Sequence, residues 1–429
     1  MSQSSNHAPR HRGRGQPRIL SGTLKTIATT AVVTYGAYKA YEFFFQEDDR
    51  RRHDESLIPQ WLSSLWLDTE ENVNRSTGRQ MPRKTKERKP LDPRTRHRLS
   101  QQGIRKCRQE TVKAYATCWP ELQQVIEDST NTIPLTQELR SLRQSPDKNT
   151  QERQGELWQE IQSATLTRFV ATQYASSLLV LSLTLQLHWI GGKVFRYQQE
   201  QDLSMARGTA QMAQHVMMQS HEYMKTQGLP LLIAAVRRAI AASPMEEWKP
   251  TTFVTLSELE RALERVDAHL EKGRGKTPFS RNWIRIILPD PSSLVDDDES
   301  DVEEQSTNPC TVAFMLEAFW DLAESPAWQD AKLQAIQATK NYLRDLGWGP
   351  VFCQSNTLGV DADIDKESKV DPPVPIQHVP LAKLMAPLKT LCSIVADRGS
   401  RKDRRTMSLL AKLQKLPTVL ELGEVSFQQ

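Results

Sequence analysis

Between Arg168 and Lys193 the chain runs for 24 residues without a formal charge, and its second half, "SSLLVLSLTLQLHWIGG" (Ser176–Gly192), is the most apolar part of the sequence. A stretch of that length and character either spans a bilayer or is wholly enclosed by protein. "LSLTLQLH" alternates as a half-buried strand would. As a helix, the same residues set Ser182/Gln186 and Thr184/His188 at i, i+4 while leucines cover the remaining surface. Helical patterns on both sides favour the helix. Thr172, Gln173, Ser176, Ser177, Ser182, Thr184, Gln186 and His188 are a heavy polar load for a lipid-facing segment. A bundle interior can supply such groups with partners. The residues therefore favour a core helix over a membrane span.

The rest of the sequence supports a soluble-type interior, with 38% hydrophobic and 25% charged residues and a mean hydropathy of −0.57. From about Gly103 onward helical signals dominate. Val112, Tyr115, Cys118, Leu122 and Val125 recur at helical spacing. In "SELERALERVDAHLEKG", Ser257 and Glu260 read as a capping box, Leu259, Leu263, Val266 and Leu270 as a buried stripe, and Gly273 as a C-cap. Two further helices are separated at Ser325-Pro326 and closed by Gly347. Strand patterns are scarce, so the expected fold is all-α, a bundle of long helices over 103–429. Loops are expected at 145–152, 273–282, 289–308 and 347–378, the last two mobile. The third contains the acidic block "DDDESDVEE" (Asp296–Glu304).

The N-terminal quarter is different. Residues 1–18 form a basic tail, and no acid occurs before Glu42. Ile19–Phe45 could cross a membrane with Lys25 and Lys39 snorkelling to opposite interfaces and the tyrosines and phenylalanines of one end forming an aromatic belt. A secretory signal fits poorly, because the segment is weakly apolar and the cysteines do not suit export. A mitochondrial presequence fits the Arg/Ser-rich, acid-free composition. A single uncleaved anchor is the preferred reading. Basic residues lie on both sides of it, so charge does not orient it. Residues 46–102 read as a basic flexible linker holding an apolar island, Leu57–Leu67, and most of the thirteen Lys and Arg residues between Arg75 and Arg108. Such a run is attracted to anionic lipid headgroups; nothing in it supports a nucleic-acid fold.

Chemistry is hard to find. The five cysteines are odd in number and form no C-x-x-C pair, which suits free thiols in a reducing compartment. There is no Gly-rich phosphate loop, G-x-S-x-G or H-E-x-x-H. His215 and His221 are off the spacing of a helical metal pair. Asp361, Asp363 and Asp365 resemble the start of a calcium loop, but Lys366 and Pro372 occupy the required Gly and Glu positions. Neither catalysis, a cofactor nor a small-molecule substrate is expected, and the default is a binding or scaffold protein.

One set of segments resembles a known family. "ELWQEIQSATLTRFVATQYASSLLVLSLTLQLHWIGGKVF" (Glu156–Phe195) is similar to the central motif of the peroxisomal biogenesis factor 3 (peroxin-3) family. Arg105–Leu122, Glu138–Pro146, Glu324–Leu346 and Val379–Leu391 follow the family in the same order. The resemblance implies a single N-terminal anchor at 19–45 in the peroxisomal membrane and a cytosolic, twisted helical bundle. That bundle would dock peroxin-19, the soluble receptor for newly made peroxisomal membrane proteins, by taking a short helix into an apolar groove. Carried over by position, the groove residues are Trp158, Ile161 and Leu142, with Lys383 at the rim and Val194 as a wall. Gln154 stands where the family carries a basic residue, and the Pro146–Trp158 connection is longer here. The resemblance also moves the apolar stretch of the opening into the bundle.

Overall fold

The computed structural model describes residues 92–142, 148–200, 202–272, 283–291, 312–354, 374–375, 378–396 and 408–429. The expected tail, anchor and most of the linker lie outside them, as do Gly273 and most of the two long loops. Of the described residues 89% are helical and 2% strand, so the domain is all-α.

Its axis is α3 (Lys148–Gln199), 52 residues and about 78 Å long. Against it pack α1 (Pro93–Ser129), α2 (Ile133–Leu142), α4 (Leu203–Tyr223), α5 (Leu229–Ala241), α8 (Val312–Glu324), α9 (Pro326–Leu343), α10 (Leu381–Ala396) and α12 (Pro417–Gln428). The helix α6 (Leu256–Lys272), the short α7 (Ile284–Ile287) and α11 (Leu409–Leu413) complete the set. Two-residue strands form two small antiparallel bridges, β1 (Phe253–Val254) with β4 (Val379–Pro380) and β2 (Cys353–Gln354) with β3 (Val374–Pro375).

The apolar stretch is the middle of α3, and 94% of its most apolar window is buried. Several of its polar groups find partners within the stretch or on a neighbouring helix. Gln186 Nε2 donates to Ser182 Oγ at 3.1 Å, Thr184 Oγ1 to the Val180 carbonyl at 2.7 Å, and Ser177 shares a 2.8 Å bond with Thr339 of α9. The His188 ring bonds the Thr184 carbonyl through Nδ1 at 2.8 Å, and burial pushes its pKa down to about 4. Most of these side chains thus spend a bond inside the bundle, which is why so mixed a sequence can sit there; Gln173 Nε2 and His188 Nε2 are buried without a partner among the described residues.

The "IGG" that ends this stretch has a steric cause. A Cβ on Gly191 would lie 2.5 Å from Cys107 Sγ, and one on Gly192 would run into the Phe427 carbonyl of α12. The two helices cross at backbone contact, which only glycine permits. At the other end of the stretch, Arg168 is 7% exposed and donates to Thr130 Oγ1 at 2.9 Å and to the Thr130 and Glu127 carbonyls at 2.8 and 3.2 Å. It caps the C-terminus of α1, where a cation meets the negative end of the helix dipole.

Several boundaries differ from expectation. α1 begins at Pro93 rather than near Gly103, with the proline at its first turn, and α3 begins at Lys148, inside the expected 145–152 loop. The buried stripe of α1 runs through Cys107, Thr111, Tyr115, Trp119, Leu122 and Ile126, leaving Val112 39% exposed. Thr111 can join it because its hydroxyl bonds the Cys107 carbonyl. The capping box of α6 is Thr255 with Glu258, reciprocally bonded at 2.8 and 3.1 Å, two residues ahead of Ser257 and Glu260. Glu260 instead faces Arg344 at 3.4 Å. It opens a ladder of acids on α6, followed by Asp267 on Lys340 and Glu271 on Lys332, both at 3.0 Å. Gly347 lies within a π-type turn, Arg344–Trp348, and does not end the helix.

Candidate functional site

α2 doubles back along the first turns of α3 and makes a helical hairpin. Asn131 Oδ1 accepts from the Ile133 amide at 3.0 Å at its start. At its end Gln154 Nε2 donates to the Leu142 carbonyl at 2.9 Å, so the residue in the family's basic position caps a helix here. Arg153 ties the outer edge together, reaching Glu138 and Glu156 at 3.0 Å and Glu160 at 3.4 Å. These carboxylates hold its guanidinium pKa above the ordinary value.

Leu139, Leu157 and Ile161 close the hairpin's small core, and Leu135, Leu142 and Trp158 pack on it while remaining partly exposed. Leu135, Leu139 and Leu142 fall at i, i+4, i+7, a spacing legible in "PLTQELRSL" that sequence reasoning used only for Leu142. Three of the carried-over residues, Trp158, Ile161 and Leu142, are therefore brought together.

Trp158 points along the same face as Gln162, one turn away. Gln162 Nε2 donates to the Met245 carbonyl at 2.6 Å, so the turn Pro244–Glu247 lies against that face and Trp158 continues it toward the hairpin tip. The indole Nε1 is buried and has no hydrogen-bond partner among the described residues. From Met245 the chain passes to Pro250 and Thr252, whose carbonyls accept from the Ala382 and Leu381 amides at 3.2 and 2.9 Å. Lys383, exposed in the first turn of α10, is thereby held beside this segment.

Val194 does not belong to the group. It lies on α3 itself, 4% exposed, and the helical rise puts it about 54 Å from Trp158. No side chain can bridge that span, so the carry-over fails at this residue.

The hairpin offers apolar surface and an indole N–H unpartnered among the described residues, which suits a helical peptide with an apolar face. Among the described residues no three His, Cys, Asp or Glu side chains are placed to hold a metal. The thiols of Cys107 and Cys118 are pushed up to about 12 by burial, the opposite of a nucleophile's requirement. Comparison with protein-family models and with curated proteins gives no match.

Proposed function

We propose that this chain is a membrane-anchored docking factor for the peroxin-19 receptor of peroxisomal membrane proteins, with the receptor's helix seated on the α2–α3 hairpin. The carrying observation is the half-exposed apolar rim of Leu135, Leu142 and Trp158 over a closed core. Support also comes from the family motifs, three of whose groove positions meet there. Ile19–Phe45 is the single anchor, in the peroxisomal membrane, and the helical domain faces the cytosol. The role needs no catalysis, cofactor or nucleic acid.

A tryptophan anchoring such an interface contributes about 2 kcal/mol or more, roughly thirtyfold in affinity. The full chain in lipid nanodiscs, titrated with a fluorescent N-terminal peptide of peroxin-19, is expected to bind, and Trp158→Ala to weaken binding by at least that factor at unchanged helicity. Affinity that survives the substitution removes Trp158 from the site; absence of binding sinks the function. The acid-free N-terminus keeps one alternative in view, a helical scaffold of the mitochondrial or another organelle membrane. A fluorescent tag on residues 1–60 separates the two: peroxisomal puncta support docking, whereas cleavage and matrix import support the alternative.

A further inference from the structure

α1 carries charge where helices avoid it. Its first two turns hold Arg94, Arg96, His97 and Arg98, with no acid in the first turn and no side-chain bond from Asp92 at the N-cap. Cations at a helix N-terminus oppose the macrodipole, and like charges at i, i+4, as in Arg94 and Arg98, repel. Arg105, three turns on, falls on the same side as these two. None of the four arginines has an ion-pair partner among the described residues, and Asp92 through Arg98 are all exposed. Among the described residues a local rule is broken here without compensation, which points to an anionic partner outside them.

Placement narrows the partner. Cys107 meets Gly191 and Thr130 meets Arg168, so α1 runs antiparallel to α3 in constant register. Pro93 then lies about 21 Å beyond the Cys107 level, whereas α3 ends about 12 Å beyond it. The first turns of α1 run past the end of α3, on the side opposite Trp158 and about 70 Å from it. Lys193 and Arg196 stand at the same end of α3, against Glu200 and Asp202; Asp202 is engaged by the Ser204 hydroxyl and the Met205 amide. Upstream in sequence the basic run continues through Arg75–Lys89 toward Ile19–Phe45.

We infer that the arginine stripe Arg94–Arg98–Arg105 docks on an anionic bilayer surface and holds the bundle upright, with the Trp158 groove turned away from the lipid. The inference rests on the reading of Ile19–Phe45 as an anchor. In the docked state the phosphate and carboxylate headgroups supply the counter-charge that the helix lacks, and the overhanging turns are ordered by it.

The test is amide hydrogen exchange of residues 95–102 in the full chain, reconstituted into phosphatidylcholine vesicles with and without about 30% phosphatidylserine. Exchange is expected to slow by about tenfold in the anionic vesicles, since each basic residue near such a surface adds several-fold to the attraction. Arg94→Glu/Arg98→Glu/Arg105→Glu should abolish that slowing. In neutral vesicles the same variant should exchange no faster than the parent, because acids suit a helix N-terminus; this keeps loss of folding distinct from loss of docking. Equal exchange in both lipids overturns the inference. So does protection that depends on the acids of Asp296–Glu304, shown by replacing them with Asn and Gln, rather than on phosphatidylserine. Failure to float with neutral vesicles at all refutes the anchor instead.

Discussion

Alanine in place of Gly192 gives the sharpest test of how α3 and α12 meet. Both Gly155 and Gly192 lie inside α3, and in a helix interior Gly→Ala by itself stabilises by about 1 kcal/mol. At Gly155 a new Cβ meets nothing within 4 Å, so that gain should be realised in full. At Gly192 the Cβ collides with the Phe427 carbonyl, a backbone atom that cannot swing away. α12 must retreat, loosening Val419, Leu422 and Phe427, each no more than 3% exposed. Three such side chains at about 1.5–3 kcal/mol apiece, half-released, forfeit roughly 3 kcal/mol, which outweighs the propensity gain. At about 2 °C per kcal/mol, the melting temperature followed by circular dichroism should rise by roughly 2 °C for Gly155→Ala and fall by roughly 4 °C for Gly192→Ala, the net of loss and gain. If Gly192→Ala melts at or above the parent, the backbone contact between the helices is wrong, and with it the explanation of the IGG segment.

Further outcomes follow from other contacts. His188 is held neutral at a pKa of about 4 against 6.5 for a free imidazole, so the unfolded chain takes up the proton first as pH falls. Stability should be unaffected by this group above pH 6.5 and lose about 3 kcal/mol between 6.5 and 4; urea midpoints for His188→Gln should fall less steeply over that range, and equal slopes would exclude the assignment. Asp267→Asn strips the counter-charge from Lys340, whose side chain is 10% exposed, and should cost about 3 kcal/mol, with Asp267→Asn/Lys340→Met recovering more than half in a double-mutant cycle. Thr255→Ala should cost about 1 kcal/mol and Ser257→Ala under about 0.5 in denaturant melts; the reverse order would restore the downstream capping box.

Much of the architecture was legible locally. The stripe Leu259, Leu263, Val266 and Leu270, all buried, follows from a 3.6-residue period alone, and Ser325 caps α9 where the Ser-Pro break indicates. Errors came where a neighbour chose between near-equal local options. Two Thr/Ser-x-x-Glu boxes overlap at the start of α6, and Arg344 claims the second glutamate. On α1, Val112 and Thr111 compete for one face, and the threonine is accepted because its hydroxyl returns to the helix backbone. For the candidate site, Trp158, Ile161 and Leu142 could be grouped because they lie within one hairpin. Lys383 is far along the chain and was reached only through the resemblance. Val194 failed because motif order carries no distance.

Taken alone, the sequence determined that residues 169–192 form a long, uncharged helix that must be covered on every side, since its pattern leaves no polar face to show to water. Its polar load favoured protein over lipid as the cover, but no local pattern names the segments that do the covering. The tertiary structure decided that. Among the described residues, helices from both before and after it in the chain wrap α3, Ser177, Thr184, Gln186 and His188 bond within a turn or to α9, and Gly192 lets α12 close to backbone contact. Periodicity is a property of adjacent residues, but coverage depends on segments hundreds of residues apart.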